Sequence, residues 1–201
     1  MIDLAQISAL EGRHVRLRRL RPEDAEATLR WRRSERAALL NRGAETVEAQ
    51  ARWIASRPPD ELNFVIELAA GGVPVGMLSL VGIDPANGRA EPARFLIGEP
   101  ARVEGVPAAV EAMLLLYELA FERLGLRRVY GTVASDNTLM IKWQKYLGMR
   151  EEGRLRAHYQ LDGRTQDAVC LGLLAEEWRA VARPRMRALV HAGSLPRPPE
   201  P

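Results

Sequence analysis

Residues 135–149 read SDNTLMIKWQKYLGM, and the apolar run VYGTVAS, residues 129–135, leads into them. A short apolar run that gives way to a helix-capping residue reads as a buried strand delivering its end to the mouth of a helix. Asp136 or Asn137 supplies the cap. Leu139, Trp143 and Tyr146/Leu147 recur at helical spacing, which predicts one apolar face. Leu147-Gly148 is the C-terminal stop.

Working outward from this unit, Ala108 to Leu124 (AAVEAMLLLYELAFERL) carries the strongest helical periodicity and closes at Gly125. Upstream, Val15 to Leu20 alternates apolar and basic residues as a half-exposed strand does. Arg21-Pro22-Glu23-Asp24 then opens a helix, predicted over Ala25 to Leu40, and Thr46 caps a second one that ends near Ser56. Asn63 to Ala69 and Val73 to Val81 are strands joined at Gly71-Gly72, and Arg89 to Gly98 is a fourth strand. Residues 127–135 make the fifth. LRAHYQL and DAVCLGLL form a late hairpin at Asp162-Gly163, and a last helix begins near Ala175. The predicted order is strand, two helices, three strands, helix, strand, helix, two strands: an α+β chain. Residues 1–190 read as one domain, and 191–201 as a Pro-rich, disordered tail.

Composition narrows the function. With 201 residues, 47% hydrophobic and 27% charged, the chain suits one domain with a substantial core. No apolar run approaches the roughly 20 residues of a membrane span, and the N-terminus lacks the features of a secretory signal. A cytoplasmic location without membrane contact is the expectation. The net charge of +3 is spread over scattered arginines, with Lys142 and Lys145 the only lysines, so no nucleic-acid partner is expected. Cys170, the single cysteine, sits in the run AVCLGLL and reads as a small core residue, not a nucleophile. No metal site is expected.

The 135–149 stretch resembles the segment N-x-x-(S/A)-x-x-L-Y-E-K-L-G-F of the Gcn5-related N-acetyltransferases, and the element order from about Val15 to Trp178 is similar to theirs. The resemblance implies a mixed, mostly antiparallel twisted sheet with a V-shaped splay between the fourth and fifth strands, helices on both faces, and acetyl-CoA or another acyl-CoA as co-substrate. Arg150–Arg156, Asp162-Gly163-Arg164 and Glu176-Glu177-Trp178 resemble the ribosomal-protein N-acetyltransferase (RimJ/RimL-like) branch. The acceptor would then be a small-molecule amine or a peptide N-terminus. A homodimer is compatible with the sequence.

Site residues follow from the same resemblance. Arg102-Val103-Glu104-Gly105-Val106-Pro107-Ala108 looks like the pyrophosphate loop Q/R-x-x-G-x-G/A. A loop entering a long helix offers unpaired N–H groups and the positive end of the dipole to a diphosphate. Gly105 allows close approach, and Arg102 adds charge. Pro107 departs from the pattern and removes one N–H. Phe95, Leu96 and Ile97 inherit the strand that pairs with the pantetheine arm or are simply core, Asn137 either bonds that arm or only caps its helix, and Lys142 either reaches toward the nucleotide phosphates or is an ordinary solvated lysine. Glu91 is the candidate general base, with a salt bridge to an arginine as the alternative.

The family's proton-donating tyrosine stands seven residues after the asparagine, where this chain has Gln144. Ser135 or a water would donate instead. Trp31, Arg32, Trp53, His158 and Tyr159 are candidates for the acceptor side; Trp31 and Trp53 also read as core residues at helical spacing, and Arg32 and Arg33 could meet an anionic acceptor or simply face solvent. A second reading stays open: a non-catalytic acyl-CoA-binding module that kept the fold but lost its proton donor.

Overall fold

A computed structural model describes residues 3–40, 43–161 and 163–193. In chain order the strands are β1 (Ala9–Glu11), β2 (Val15–Arg19), β3 (Leu62–Leu68), β4 (Pro74–Asp84), β5 (Arg89–Ile97), β6 (Arg128–Ala134), β7 (Arg150–Leu161) and β8 (Arg164–Leu174). They make one sheet ordered β1-β2-β3-β4-β5-β6-β8-β7. The helices are α1 (Ala25–Arg32), α2 (Val47–Ala55), α3 (Ala108–Glu118), α4 (Thr138–Tyr146), α5 (Ala175–Glu177) and α6 (Arg183–Ala192). A π turn over Leu119–Arg123 extends α3, and another over Trp178–Ala182 joins α5 to α6.

Strand alternation explains why helices sit on both faces. Leu62, Phe64 and Ile66 of β3 join the larger core with α3 and α6, while Val65 between them packs with Met77, Leu96, Trp31 and Ala37 beneath α1. Successive side chains point to opposite faces, so a strand buried throughout must be covered twice.

Every neighbouring pair is antiparallel except β5 and β6, which run parallel and share only two register pairs, Arg89↔Arg128 and Ala90↔Val129. Beyond them the strands part. Pro92 has no N–H to offer a neighbour. Then β5 bulges: Met77 faces Leu96 and Ser79 faces Ala93, so Arg94 and Phe95 stand opposite the single Leu78. Arg94 adopts a left-handed φ of 55° there. Meanwhile β6 stays paired to β8 as far as Ala134↔Ala168. The V-shaped opening expected between the fourth and fifth strands therefore lies between β5 and β6. The offset in numbering comes from β1, whose three residues are too few to show periodicity.

Other differences have local causes. The first helix stops at Arg32, not Leu40, because Ser34 turns extended (ψ 159°) and its hydroxyl donates to the Trp31 carbonyl at 2.7 Å. On α4 the predicted apolar face does not hold together. Leu147 is buried and Trp143 half-buried, but Leu139 is 80% exposed and Tyr146 53%, while Gln144 is buried. Cys170 is half-buried on β8, not enclosed in the core. The 191–201 tail falls largely outside the described residues, with only His191–Gly193 inside.

Glu111, the lone acid on the inner side of α3, is buried at 3% exposure. Its carboxylate accepts the N–H groups of Arg13 and His14 at 2.7 Å and of Val15 at 2.9 Å. The turn from β1 into β2 is thus tied to α3 by three charge-assisted bonds.

Candidate active site

A cavity of about 530 Å³ opens where β5 and β6 separate. One part of its wall comes from the diverging strands and α4: Phe95, Val133, Ala134, Asn137, Met140 and Gln144. Another comes from α1, α2, the bulge and the late hairpin: Arg32, Gln50, Trp53, Arg94, Thr132 and Tyr159. Glu91, one residue past the last β5–β6 pair, lines the cavity too.

Glu91 reaches across the opening to β6. A Cβ on Gly131 would stand 3.3 Å from its Oε1, so the absence of a side chain there makes room for the carboxylate. Burial raises its pKa above the usual carboxylate value; the Thr132 N–H and the charges of Arg94 and His158 pull the other way without cancelling it. Beside it the Tyr159 hydroxyl lies 2.6 Å from the Thr132 hydroxyl and 3.2 Å from the Thr132 carbonyl oxygen. Glu91 makes no salt bridge of its own among the described residues; its neighbour Arg94 pairs elsewhere. The Arg94 guanidinium donates to Glu61 Oε2 at 3.0 Å, Glu61 Oε1 at 3.2 Å and Asn63 Oδ1 at 3.1 Å, and lies 5.2 Å from the Trp53 ring centre.

On the α4 side, Asn137 does cap the helix, its Oδ1 accepting the Met140 N–H at 3.2 Å, and it also lines the cavity. Gln144 Oε1 accepts from the buried Tyr117 hydroxyl at 3.2 Å. Tyr117 is held well above its ordinary pKa by burial, so it stays a neutral donor. Phe95 stacks on Trp143, rings 5.0 Å apart and tilted by 10°, linking β5 to α4.

Several sequence-predicted residues stand elsewhere. Trp31 is 2% exposed, packs against Gly98 and donates to Glu99 Oε1 at 2.8 Å; it holds the end of β5 and does not line the cavity. Ser135 also lies off the wall, its N–H committed to the Asp167 carbonyl. His158 is exposed, edge-on to Tyr159. The Leu96 side chain packs into the core under α1, and Ile97 offers its carbonyl to Arg36 Nε at 3.1 Å. Lys142 is exposed on α4. The sequence reading missed Arg94 and Thr132, whose roles depend on a bulge and on an interrupted strand pair that leave no pattern in the residue order.

The loop Arg102–Ala108 lies outside the cavity wall, between β5 and α3. Arg102 closes a short 3-10 turn (Pro100–Val103) and is exposed, as is Glu104. Gly105 has φ 75°, and a Cβ there would meet nothing within 4 Å, so its backbone is open to an approaching group. Val106 donates its N–H to the Val103 carbonyl, and Pro107 caps α3 in front of the buried Ala108. Open backbone, Arg102 and a helix N-terminus fit a diphosphate; an opened strand edge beside a cavity fits its extended arm. No group of three or more metal-ligating side chains occurs among the described residues, and no described helix is long and apolar enough to cross a membrane.

Comparison with known proteins agrees with this architecture. No curated protein sequence matches the chain. Among solved structures, a GCN5-related N-acetyltransferase from Brucella melitensis is 29% identical, with a TM-score of 0.76 over 90% of this chain and 84% of that one. A structure from T. thermophilus that carries an acetyltransferase assignment is 32% identical, with a TM-score of 0.75 over 90% and 96%. A spermidine N-acetyltransferase chimera from Vibrio cholerae and hSSAT shares the fold at 20% identity, TM-score 0.72, over 84% and 99%. The acetyltransferase (GNAT) domain profile matches residues 14–150. With that match running from β2 through β6, the opening between β5 and β6 and the helix α4 beyond, the chain belongs to the GNAT acetyltransferase family.

Proposed function

We propose that the protein moves an acetyl group from acetyl-CoA to a primary amine by direct attack, both substrates being bound together. The observation that carries this reading is Glu91: a half-buried carboxylate with a raised pKa, at the point where the sheet opens, on the wall of a cavity shared by both substrate sides. A base poised closer to neutral pH takes a proton more effectively than an ordinary surface carboxylate.

The carrier supplies an activated acyl carbon; the chain supplies position and proton transfer. The Arg102–Ala108 loop holds the diphosphate, and the open edge of β5 near Phe95 pairs with the arm. Asn137 contributes from the start of α4. As the amine nitrogen bonds to the acyl carbon, its proton passes to Glu91, and the carbon–sulfur bond breaks to release a thiolate. Gln144 accepts from Tyr117, which leaves its NH2 end to donate toward that sulfur. An amide lowers the cost of the thiolate charge without protonating it, so the proton comes from water. Ser135, off the cavity wall, is not assigned that role. The RimJ/RimL-like branch remains the reading drawn from residues 150–178.

Thiol release from acetyl-CoA with a panel of amines tests this function. Turnover with at least one amine is expected, whereas tight CoA binding with no release for any amine would favour the non-catalytic module. Gly105→Val is expected to weaken acetyl-CoA binding by about tenfold or more, because a β-branched residue resists φ 75° and fills the open approach. Isothermal titration measures it. Unchanged affinity would place the diphosphate elsewhere.

A further inference from the structure

The loop in front of α3 is pressed from behind by the end of α6. A Cβ on Gly193 would stand 2.9 Å from Pro107 Cβ, 2.9 Å from its Cγ and 3.0 Å from its Cδ, so one side would have to move. Gly193 has φ −66° and ψ −8°, which any residue adopts, so glycine is needed there for space and not for backbone freedom. The Pro107 ring therefore rests on the Gly193 main chain. Behind this contact α6 is firmly held. Met186 and Val190 are buried in the core that α3 shares. Glu118, the last residue of α3, accepts from Arg183 Nε at 3.2 Å and from Arg187 Nη2 at 2.6 Å. The two helices thus run antiparallel, and the end of α6 returns to the start of α3. Arg185 Nη1 donates to the Tyr146 carbonyl at 2.8 Å, which ties α6 to the end of α4 as well. The loop is held more lightly, by the half-buried Val103 and Val106 and by single-turn bonds from Arg102 to Glu99 at 3.1 Å and from Val106 to Val103 at 3.0 Å. An atom added at the contact displaces the loop before it displaces α6.

Resting on the reading that the Arg102–Ala108 loop holds the carrier's diphosphate, we propose that Gly193 is a positioning residue for acetyl-CoA: through Pro107, the end of α6 sets that loop in its binding form. Pro107 gives up an N–H, but its ring fixes φ and offers α6 a rigid face to brace. The direction of the open Gly105 backbone is then set before the carrier arrives, which spares binding the cost of ordering the loop.

Isothermal titration of the whole protein with acetyl-CoA tests this. Gly193→Ala is expected to raise the Kd about tenfold, the effect of overpacking by one methyl group. The change should appear in the carrier's Kd and KM, not in kcat at saturating carrier. Pro107→Gly removes every side-chain atom that the new Cβ would meet. In that background Gly193→Ala should change the Kd by less than about twofold, since the two positions then no longer interact. Such a rescue separates a brace on the loop from a loss of folding, which Pro107→Gly would not repair. An equal rise in both backgrounds overturns the inference and leaves acetyl transfer standing. So does a Kd unmoved by Gly193→Ala while Gly105→Val weakens binding, whatever the urea midpoint does. If neither variant moves the Kd, the diphosphate lies elsewhere, and the reading of the loop falls together with the inference.

Discussion

Glu91→Gln is expected to lower kcat by about a hundred- to ten-thousandfold, the range typical of a lost general base, with acetyl-CoA affinity nearly unchanged. Glutamine keeps the shape and the contact to the Thr132 N–H but cannot take a proton. The pH profile gives a second readout. Burial dominates at Glu91, so its pKa lies above the usual carboxylate value. The active form is the carboxylate; activity should therefore fall as pH drops through that raised pKa, at a higher pH than an exposed glutamate would give. In Glu91→Gln this acid limb should vanish. Folding stability should hold or rise, since a carboxylate whose pKa is higher folded than unfolded weakens the fold at pH above the unfolded value. A profile that keeps its acid limb would remove Glu91 as the base.

The largest expected effect on stability belongs to Glu111→Ala, at about 3–5 kcal/mol, because it strands three backbone N–H groups around a buried carboxylate site. The Gly12 turn closes on the same carboxylate: a Cβ at Gly12 would stand 2.9 Å from Glu111 Cδ. Loss of the acid should loosen β1 and the start of β2 from α3, while the cavity on the other side of the sheet opening keeps its wall. Urea denaturation followed by fluorescence measures the change. A loss under about 1 kcal/mol would mean that water replaces the carboxylate freely.

The sequence was legible where periodicity is long. Residues 108–124 and 129–149 announce a helix, a strand and a second helix, and all three stand close to their predicted bounds. Thr46 and Asn137, both read as possible caps, do cap α2 and α4. What escaped was anything set by tertiary contact. Leu139 and Tyr146 look like packing residues by spacing, yet α4 turns Gln144 inward because Tyr117 lies there to bond it. Of the two readings of Trp31, pocket aromatic or core residue, the core one holds, because Gly98, just past β5, leaves a gap that its ring fills. For Glu111 a signal was present: one acid amid the apolar residues of α3 implies a buried partner, though residue order cannot say that the partner is a backbone turn some hundred residues earlier.

The candidate site divides in the same way. Glu91 and Phe95 of β5, Asn137, Arg32 and Tyr159 come from four stretches of the chain and line one cavity. Arg94 and Thr132 join them only because Pro92 and the bulge end the β5–β6 pairing, which no spacing rule reveals. The loop at Gly105 has the open backbone expected of it, while Val106 spends its N–H within the turn and Pro107 has none to give.

A crystal structure with acetyl-CoA tests the central claim most directly. Main-chain bonds from the arm to the freed edge of β5 near Phe95, with the diphosphate against Gly105 and the start of α3, are the predicted result. The thioester should then end within reach of Glu91 and Gln144. Electron density for the carrier anywhere else, with the β5–β6 opening filled by side chains such as Phe95 and Trp143, would contradict the account.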